Sequence, residues 1–167
     1  DQTFGRYDGA PELVAANGSS ASCAGESDGG VLSDTVVYCA DDDAIVYAKV
    51  TLQTASDEIG DMAAGVYVAA AWASAVQHDL GMTIGSSRAR EVSDCLTGAW
   101  AGEVQRGTAT TKRSASISFS PGDLDEVIAA FVATDGAKAK VDRGTVFERV
   151  TQFRTGFDGG AEACLAV

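Results

Sequence analysis

The longest apolar run of the chain covers residues 62–76 and is dominated by alanine, the strongest helix former. It predicts a buried central helix over residues 62–77. A membrane-spanning helix needs roughly 20 apolar residues, and this run is shorter, so we expect a core helix. After a break at residues 81–87, apolar side chains recur at helical spacing over residues 88–105 and predict a second helix.

Residues 120–123 predict the start of a third helix, which runs to about Thr134. Ser120 can cap a helix, Pro121 is tolerated at the first helical position, and Asp123 suits the positive end of the helix dipole. A fourth helix is predicted over residues 145–155, ending at Gly156. We expect its inward side chains to be Val146, Phe147, Val150 and Phe153.

Two short runs of β-branched and aromatic residues, 35–39 and 44–47, flank an acidic turn and predict a β-hairpin. The three aspartates at 41–43 are typical of a solvated turn, since no EF-hand spacing follows them. Residues 1–34 are rich in Gly, Ser, Ala and Asp and predict an irregular N-terminal arm before one domain over residues 35–167. The predicted fold class is α+β, with a small β-hairpin or sheet packed on a bundle of about four helices.

The charge balance narrows the possible partners. The chain has 12 basic and 24 acidic residues among 167, a formal net charge of −12. Such a surface repels phosphate backbones and anionic lipid headgroups, so we expect no nucleic-acid partner. The aromatic residues Trp72, Trp100, Phe147 and Phe153 fall at helical core spacing, which favours packing over a ligand groove.

The four cysteines are Cys23, Cys39, Cys95 and Cys164, and none forms a C-x-x-C pair. An even number of widely spaced cysteines favours two disulfides and an oxidising compartment. The sequence does not choose among the three possible pairings. We prefer Cys23–Cys39, which closes a local loop, and Cys95–Cys164, which ties the C-terminus to a central helix. We expect a secreted or extracytoplasmic protein, with a signal or lipid anchor removed upstream of Asp1.

Several stretches, in order over residues 35–164, resemble the neutral zinc metallopeptidase family common in actinobacteria. They are Tyr38-Cys39 with residues 42–45, residues 71–77, residues 93–100, residues 120–126, and residues 147–150 with 153–157. The resemblance implies a zincin-like fold. It also implies an H-E-x-x-H zinc site on the central helix and a third ligand, a carboxylate, on the next helix.

The positions that this resemblance assigns to the zinc site carry other residues. Ala70 and Ser74 stand at the histidine positions, Ala71 at the catalytic glutamate, and Arg90 at the third ligand. A methyl group neither binds zinc nor transfers a proton, a serine hydroxyl is a poor ligand, and a guanidinium repels the metal. The sequence therefore predicts a degenerate site with no metal and no cofactor.

Three titratable residues remain near the degenerate motif and are predicted remnants of its cleft: His78, Glu91 and Asp94. Glu91 lies one register from the third-ligand position, about 100° round the helix. Asp94 follows Arg90 by four residues, and we expect these two to form an ion pair. His78 is the only histidine, and its place near a helix C-terminus favours a role at the negative dipole end.

A catalytic set of Ser74, His78 and Asp94 is disfavoured, because no G-x-S-x-G elbow is present. The sequence thus predicts a pseudoenzyme that acts as a binding or structural subunit of a cell-envelope assembly, with a protein partner in the envelope, such as a membrane complex. No membrane-spanning segment is expected in this chain. Two alternatives stay open: an active hydrolase with a non-standard site, and a secreted module that binds peptides or glycans.

Overall fold

The computed structural model describes residues 9–17, 21–23, 36–107, 118–135 and 144–166. Within these residues the chain forms a three-stranded sheet and five α-helices, which confirms the α+β class. The elements are β1 (Glu12–Ala15), β2 (Val36–Cys39), β3 (Ala44–Tyr47), α1 (Lys49–Glu58), α2 (Asp61–Asp79), α3 (Ser87–Gln105), α4 (Asp123–Asp135) and α5 (Val146–Ala163), followed by a 3-10 turn (Cys164–Ala166).

The sheet has the strand order β1-β3-β2. Strands β2 and β3 are antiparallel and form the predicted hairpin, while β1 pairs with β3 in parallel. Residues 12–15 lie in the arm predicted to be irregular, and in this segment that prediction is wrong. The four residues of β1 are all exposed. A half-buried strand is predicted from alternating apolar and polar positions, and β1 lacks that pattern of burial. The predicted domain boundary after residue 34 stays a prediction.

Helices α2 and α3 match their predicted ranges within two residues at either end. Helix α1 was not predicted, and it raises the described helices from four to five. Its β-branched residues Val50, Thr51 and Thr54 lower helix propensity. Its N-cap residue, Ala48, has no side chain that can cap. Helix α1 is therefore stabilised by packing against α2 rather than by a local signal.

Helix α4 begins at Asp123, two residues later than the expected first position at Pro121. Gly122, directly before the helix, has a φ of +106°, a conformation that glycine adopts and that is not helical. Pro121 therefore lies in the turn that precedes the helix. The backbone N–H of Ser120 donates to Asp123 Oδ2 at 2.7 Å, so the carboxylate of Asp123 closes this turn.

Helix α5 continues past Gly156 to Ala163, so the predicted end at Gly156 is wrong. A Cβ atom at Gly156 would lie 1.8 Å from the carbonyl oxygen of Cys95, and one at Gly98 would lie 1.8 Å from that of Phe153. The two glycines thus allow the backbones of α3 and α5 to touch. The interruption of α5 comes at Gly160, where φ is +73°.

Both preferred disulfides are present, Cys23–Cys39 and Cys95–Cys164. The first ties residue 23 to strand β2, and the second ties the C-terminal turn to α3. These bonds fit an extracytoplasmic protein, because disulfides persist in oxidising compartments. Among the described helices, none is both long and apolar enough to cross a membrane.

Candidate functional site

The three motif positions on α2 are buried. Ala70, Ala71 and Ser74 are 4%, 3% and 3% exposed. The hydroxyl of Ser74 donates to the carbonyl oxygen of Ala70 at 3.3 Å, and the hydroxyl of Ser93, on α3, donates to the same oxygen at 3.4 Å. These positions are thus enclosed in the packed interior, with their polar atoms directed at the helix backbone.

His78 lies apart from this interior. Its side chain is about half exposed and lies in the last turn of α2, where the sequence placed it near the negative end of the helix dipole. Its Nδ1 atom is 3.4 Å from the hydroxyl oxygen of Tyr38 and 3.7 Å from a carboxylate oxygen of Asp79. The hydroxyl of Ser74 is directed at Ala70 instead, so the structure does not assemble the catalytic set that the sequence already disfavoured.

Arg90, Glu91 and Asp94 do lie together. They line a polar groove of about 460 Å³ between the first turns of α3 and α5. The guanidinium of Arg90 donates to the carbonyl oxygen of Gly85 and, at 3.0 Å, to the hydroxyl of Ser87. Arg90 therefore stabilises the loop that leads into α3. The expectation that Arg90 forms an ion pair with Asp94 is wrong.

Among the described residues, Asp94 forms its ion pair with Arg149, on α5. Their contact is bidentate, with Nε to Oδ2 and Nη2 to Oδ1 both at 3.1 Å, and the side chains are 3% and 8% exposed. Arg149 also donates to the hydroxyl of Thr134 at 2.8 Å and stands 4.2 Å from the centre of the Phe131 ring. Such pairing compensates the cost of burying both charges.

This network joins α3, α4 and α5, and it was missed at the sequence level. The available signal was the position of Arg149, four residues before Phe153 on the inward face of the last helix. A charged residue at an apolar position needs a buried partner. Its partner lies 55 residues earlier in the chain, and no local pattern identifies it.

One group of carboxylates in the described part of the chain has the spacing of a cation site: Asp61, Asp123 and Glu126. Each of the last two has a structural role. Glu126 Oε2 accepts the backbone N–H of Met62 at 2.9 Å and so caps the positive end of α2. Asp123 closes the turn at Ser120. This geometry is that of helix capping.

An apolar groove of about 520 Å³ lies between β1, β3, α1, α2 and α3. Trp72 and Trp100 pack against the core, as expected, but they are only partly buried and also line this groove. Phe147 is not one of its lining residues; it was expected to face inward, but it is 81% exposed at the start of α5. The described residues that line this apolar groove are Ala10, Pro11, Leu13, Ile45, Leu52, Ala64, Gly65, Val68, Ala69, Trp72 and Trp100.

The apolar groove is separate from the degenerate motif. Ala70, Ala71 and Ser74 are not among its lining residues. Gly65, Val68 and Trp72 lie on one face of α2, whereas the three motif positions lie roughly 120–180° round the helix from Gly65, at about 100° per residue. The groove is therefore not the cleft that the resemblance assigns to a metallopeptidase. It is a feature that no motif of the sequence indicated.

No protein-family model, no curated protein sequence and no solved structure matches this chain. The metallopeptidase resemblance therefore rests on the sequence motifs, and the site is interpreted from its own geometry.

Proposed function

We propose that this chain is a non-hydrolytic, extracytoplasmic binding domain, built on a metallopeptidase-like scaffold and acting as a subunit of a cell-envelope assembly. The observation that carries the proposal is the state of the three motif positions on α2. Ala70, Ala71 and Ser74 offer two methyl groups and one hydroxyl, and all three are buried.

The surrounding interactions support loss of catalysis. A hydrolytic zinc site needs an open coordination position that water and substrate can reach. The hydroxyl of Ser74 is directed at a backbone oxygen, and the carboxylate of Asp94 is held by Arg149. Ser74, at 3% exposure, is therefore shielded from the water and substrate that a hydrolytic site must reach.

Two further features support a binding role outside the cytoplasm. One disulfide joins residue 23 to the sheet and the other joins the C-terminal turn to α3, and such cross-links are common in small secreted domains. The described residues of the apolar groove form a concave surface without charged side chains, in the size range of ligand sites, roughly 300–1,000 Å³. Its lining favours apolar peptide side chains over glycans, because glycan hydroxyls need hydrogen-bonding partners.

Proteolysis of an unfolded protein substrate tests the proposal. The full chain is incubated with reduced, unfolded casein and excess zinc, and the products are analysed by mass spectrometry. We expect the same products as with zinc alone. Zinc-dependent cleavage that a chelator abolishes would contradict the proposal in favour of the hydrolase alternative. The variant Ser74→Ala is the matched control, since cleavage that it removes belongs to this chain rather than to a contaminant.

A further inference from the structure

The sheet ends at strand β1, and the outer edge of β1 has no strand partner in the described part of the chain. The N–H groups of Glu12 and Ala16 donate to the carbonyl oxygens of Asp43 and Tyr47, at 3.1 and 2.8 Å, on the side of β3. Because backbone groups alternate along a strand, those of Leu13 and Ala15 point to the outer edge. Edges of this kind accept a further strand.

The apolar groove lies beside this edge. Leu13 pairs in register with Ile45, and both side chains line the groove from the sheet. The opposite wall is the face of α2 at Gly65, with Trp100 against it. A Cβ at Gly65 would be 3.1 Å from Cη2 of Trp100, so the absence of a side chain there lets the indole lie close to the helix. The groove thus occupies the place into which a fourth strand would direct its inward side chains.

We propose that an extended segment of another polypeptide pairs with the outer edge of β1 and places bulky apolar side chains in the apolar groove. This inference rests on the proposed binding function and names its surface. Strand addition combines main-chain hydrogen bonds with pockets for alternate side chains. A lipid chain would fill the groove and leave the hydrogen-bonding groups of Leu13 and Ala15 unused.

Charge defines the rest of the partner segment. None of the described residues that line the groove is charged, so we expect the inward side chains of the segment to be uncharged. The whole chain has a net charge of −12, and Glu12 is exposed on β1 itself. Lysine or arginine on either side of the apolar centre therefore complements the surface and speeds encounter.

The test uses a displayed library of random nine-residue peptides, selected on the full chain. We expect the enriched peptides to carry bulky apolar residues at alternate positions between basic residues. Their binding is expected to slow hydrogen exchange at the amides of Leu13 and Ala15. It should also shift tryptophan fluorescence, since both tryptophans of the chain line the groove.

A pair of variants locates the binding. Leu13 and Val50 are similarly exposed, at 58% and 55%, and only Leu13 lines the groove. We expect Leu13→Asp to weaken binding of the enriched peptides at least about tenfold, because a desolvated charge disfavours the apolar contact. Val50→Asp is expected to leave binding within about twofold of the unsubstituted chain, as for surface positions outside a contact.

The inference is overturned by no enrichment, by enrichment without the alternating pattern, or by equal effects of the two variants. Binding that appears only after deletion of residues 1–8 also overturns it, because the groove then serves this chain's own N-terminal segment. Failure of the proposed function has a different signature. In that case the enriched peptides bind at β1 and are cleaved, in a zinc-dependent manner.

Discussion

At the scale of single residues, the most informative contact is the one between Asp94 and Arg149. The resemblance placed Asp94 in the neighbourhood of a metal, and its sequence spacing pointed to Arg90 as a partner. In the structure a cation does lie beside Asp94, but it comes from α5 and is buried with it. The carboxylate of Asp94 is therefore balanced by the guanidinium of Arg149. The same guanidinium holds α3, α4 and α5 together.

Arg149→Leu is predicted to lower the free energy of unfolding by about 3–5 kcal/mol, because it leaves Asp94 buried without its bidentate partner. Chemical denaturation monitored by circular dichroism measures the change. The control lies on the same helix, where Arg154 pairs with Asp158 in solvent at 81% and 64% side-chain exposure. Arg154→Leu is expected to cost less than about 1 kcal/mol. Equal losses for the two variants would contradict a structural role of the buried pair.

At the scale of elements, Gly156 could mark either the end of a helix or a close contact between two helices, and the sequence did not distinguish the two. Gly156 follows a run of helical residues, which is the usual signal of a helix C-terminus. In the structure it is instead a contact point at which α5 meets the backbone of α3. Both uses need a residue without a side chain, so the local sequence alone favours the commoner one. The crossing becomes visible only when Gly98, on the partner helix, is placed opposite.

Gly156→Ala is predicted to destabilise the protein by about 3 kcal/mol or more, the upper end of the range for overpacked cores, since the added methyl meets backbone rather than a side chain. Thermal and denaturant unfolding provide the measurement. Gly65→Ala is the matched helical control, because its methyl meets side chains rather than backbone, with Trp100 Cη2 at 3.1 Å and Met62 Sδ at 3.7 Å, and alanine favours helix. We expect it to stay within about 1 kcal/mol of the original chain. A harmless Gly156→Ala would show that α3 and α5 do not touch as described.

The elements that the sequence predicted correctly are those with a clear local signal. Helix α2 has a long alanine-rich run, and the β2–β3 hairpin has two aromatic, β-branched runs around an acidic turn. Helix α1 and strand β1 lack such a signal, since one is rich in β-branched residues and the other is short and exposed. Both are held by tertiary contacts, which sequence patterns do not encode. The apolar groove depends on both and could not be predicted for the same reason.

At the scale of the whole molecule, the two disulfides constrain the chain to different extents. Cys23 and Cys39 are 16 residues apart, whereas Cys95 and Cys164 are 69 residues apart. The longer loop removes more entropy from the unfolded chain. The preferred pairing, chosen for one local and one long closure, is confirmed.

Replacing Cys95 and Cys164 together by alanine is predicted to cost about 1 kcal/mol more than replacing Cys23 and Cys39, from the dependence of loop entropy on loop length. The free energies of unfolding of the two double variants, measured in parallel with all other residues unchanged, provide the comparison. A larger loss for the Cys23 and Cys39 variant would show that packing around strand β2, rather than chain entropy, dominates.

The degenerate motif was predicted at named positions, and the structure adds that Ala70, Ala71 and Ser74 are enclosed among packed helices. Sequence spacing identified which groups were absent. Their burial depends on how α3 lies against α2, which the motif does not specify. The central proposal is that this domain holds no catalytic zinc and acts by binding.

Metal analysis of the full chain, equilibrated with zinc and then freed of loosely bound ions, tests this proposal most directly. The variant Glu126→Gln is measured beside it, because it removes one carboxylate of the group at Asp61 and Asp123. We predict well under one zinc per chain for both proteins, since the motif positions offer no ligand set. About one tightly held zinc per chain, retained in Glu126→Gln, would contradict the account and place a working metal site elsewhere in the molecule.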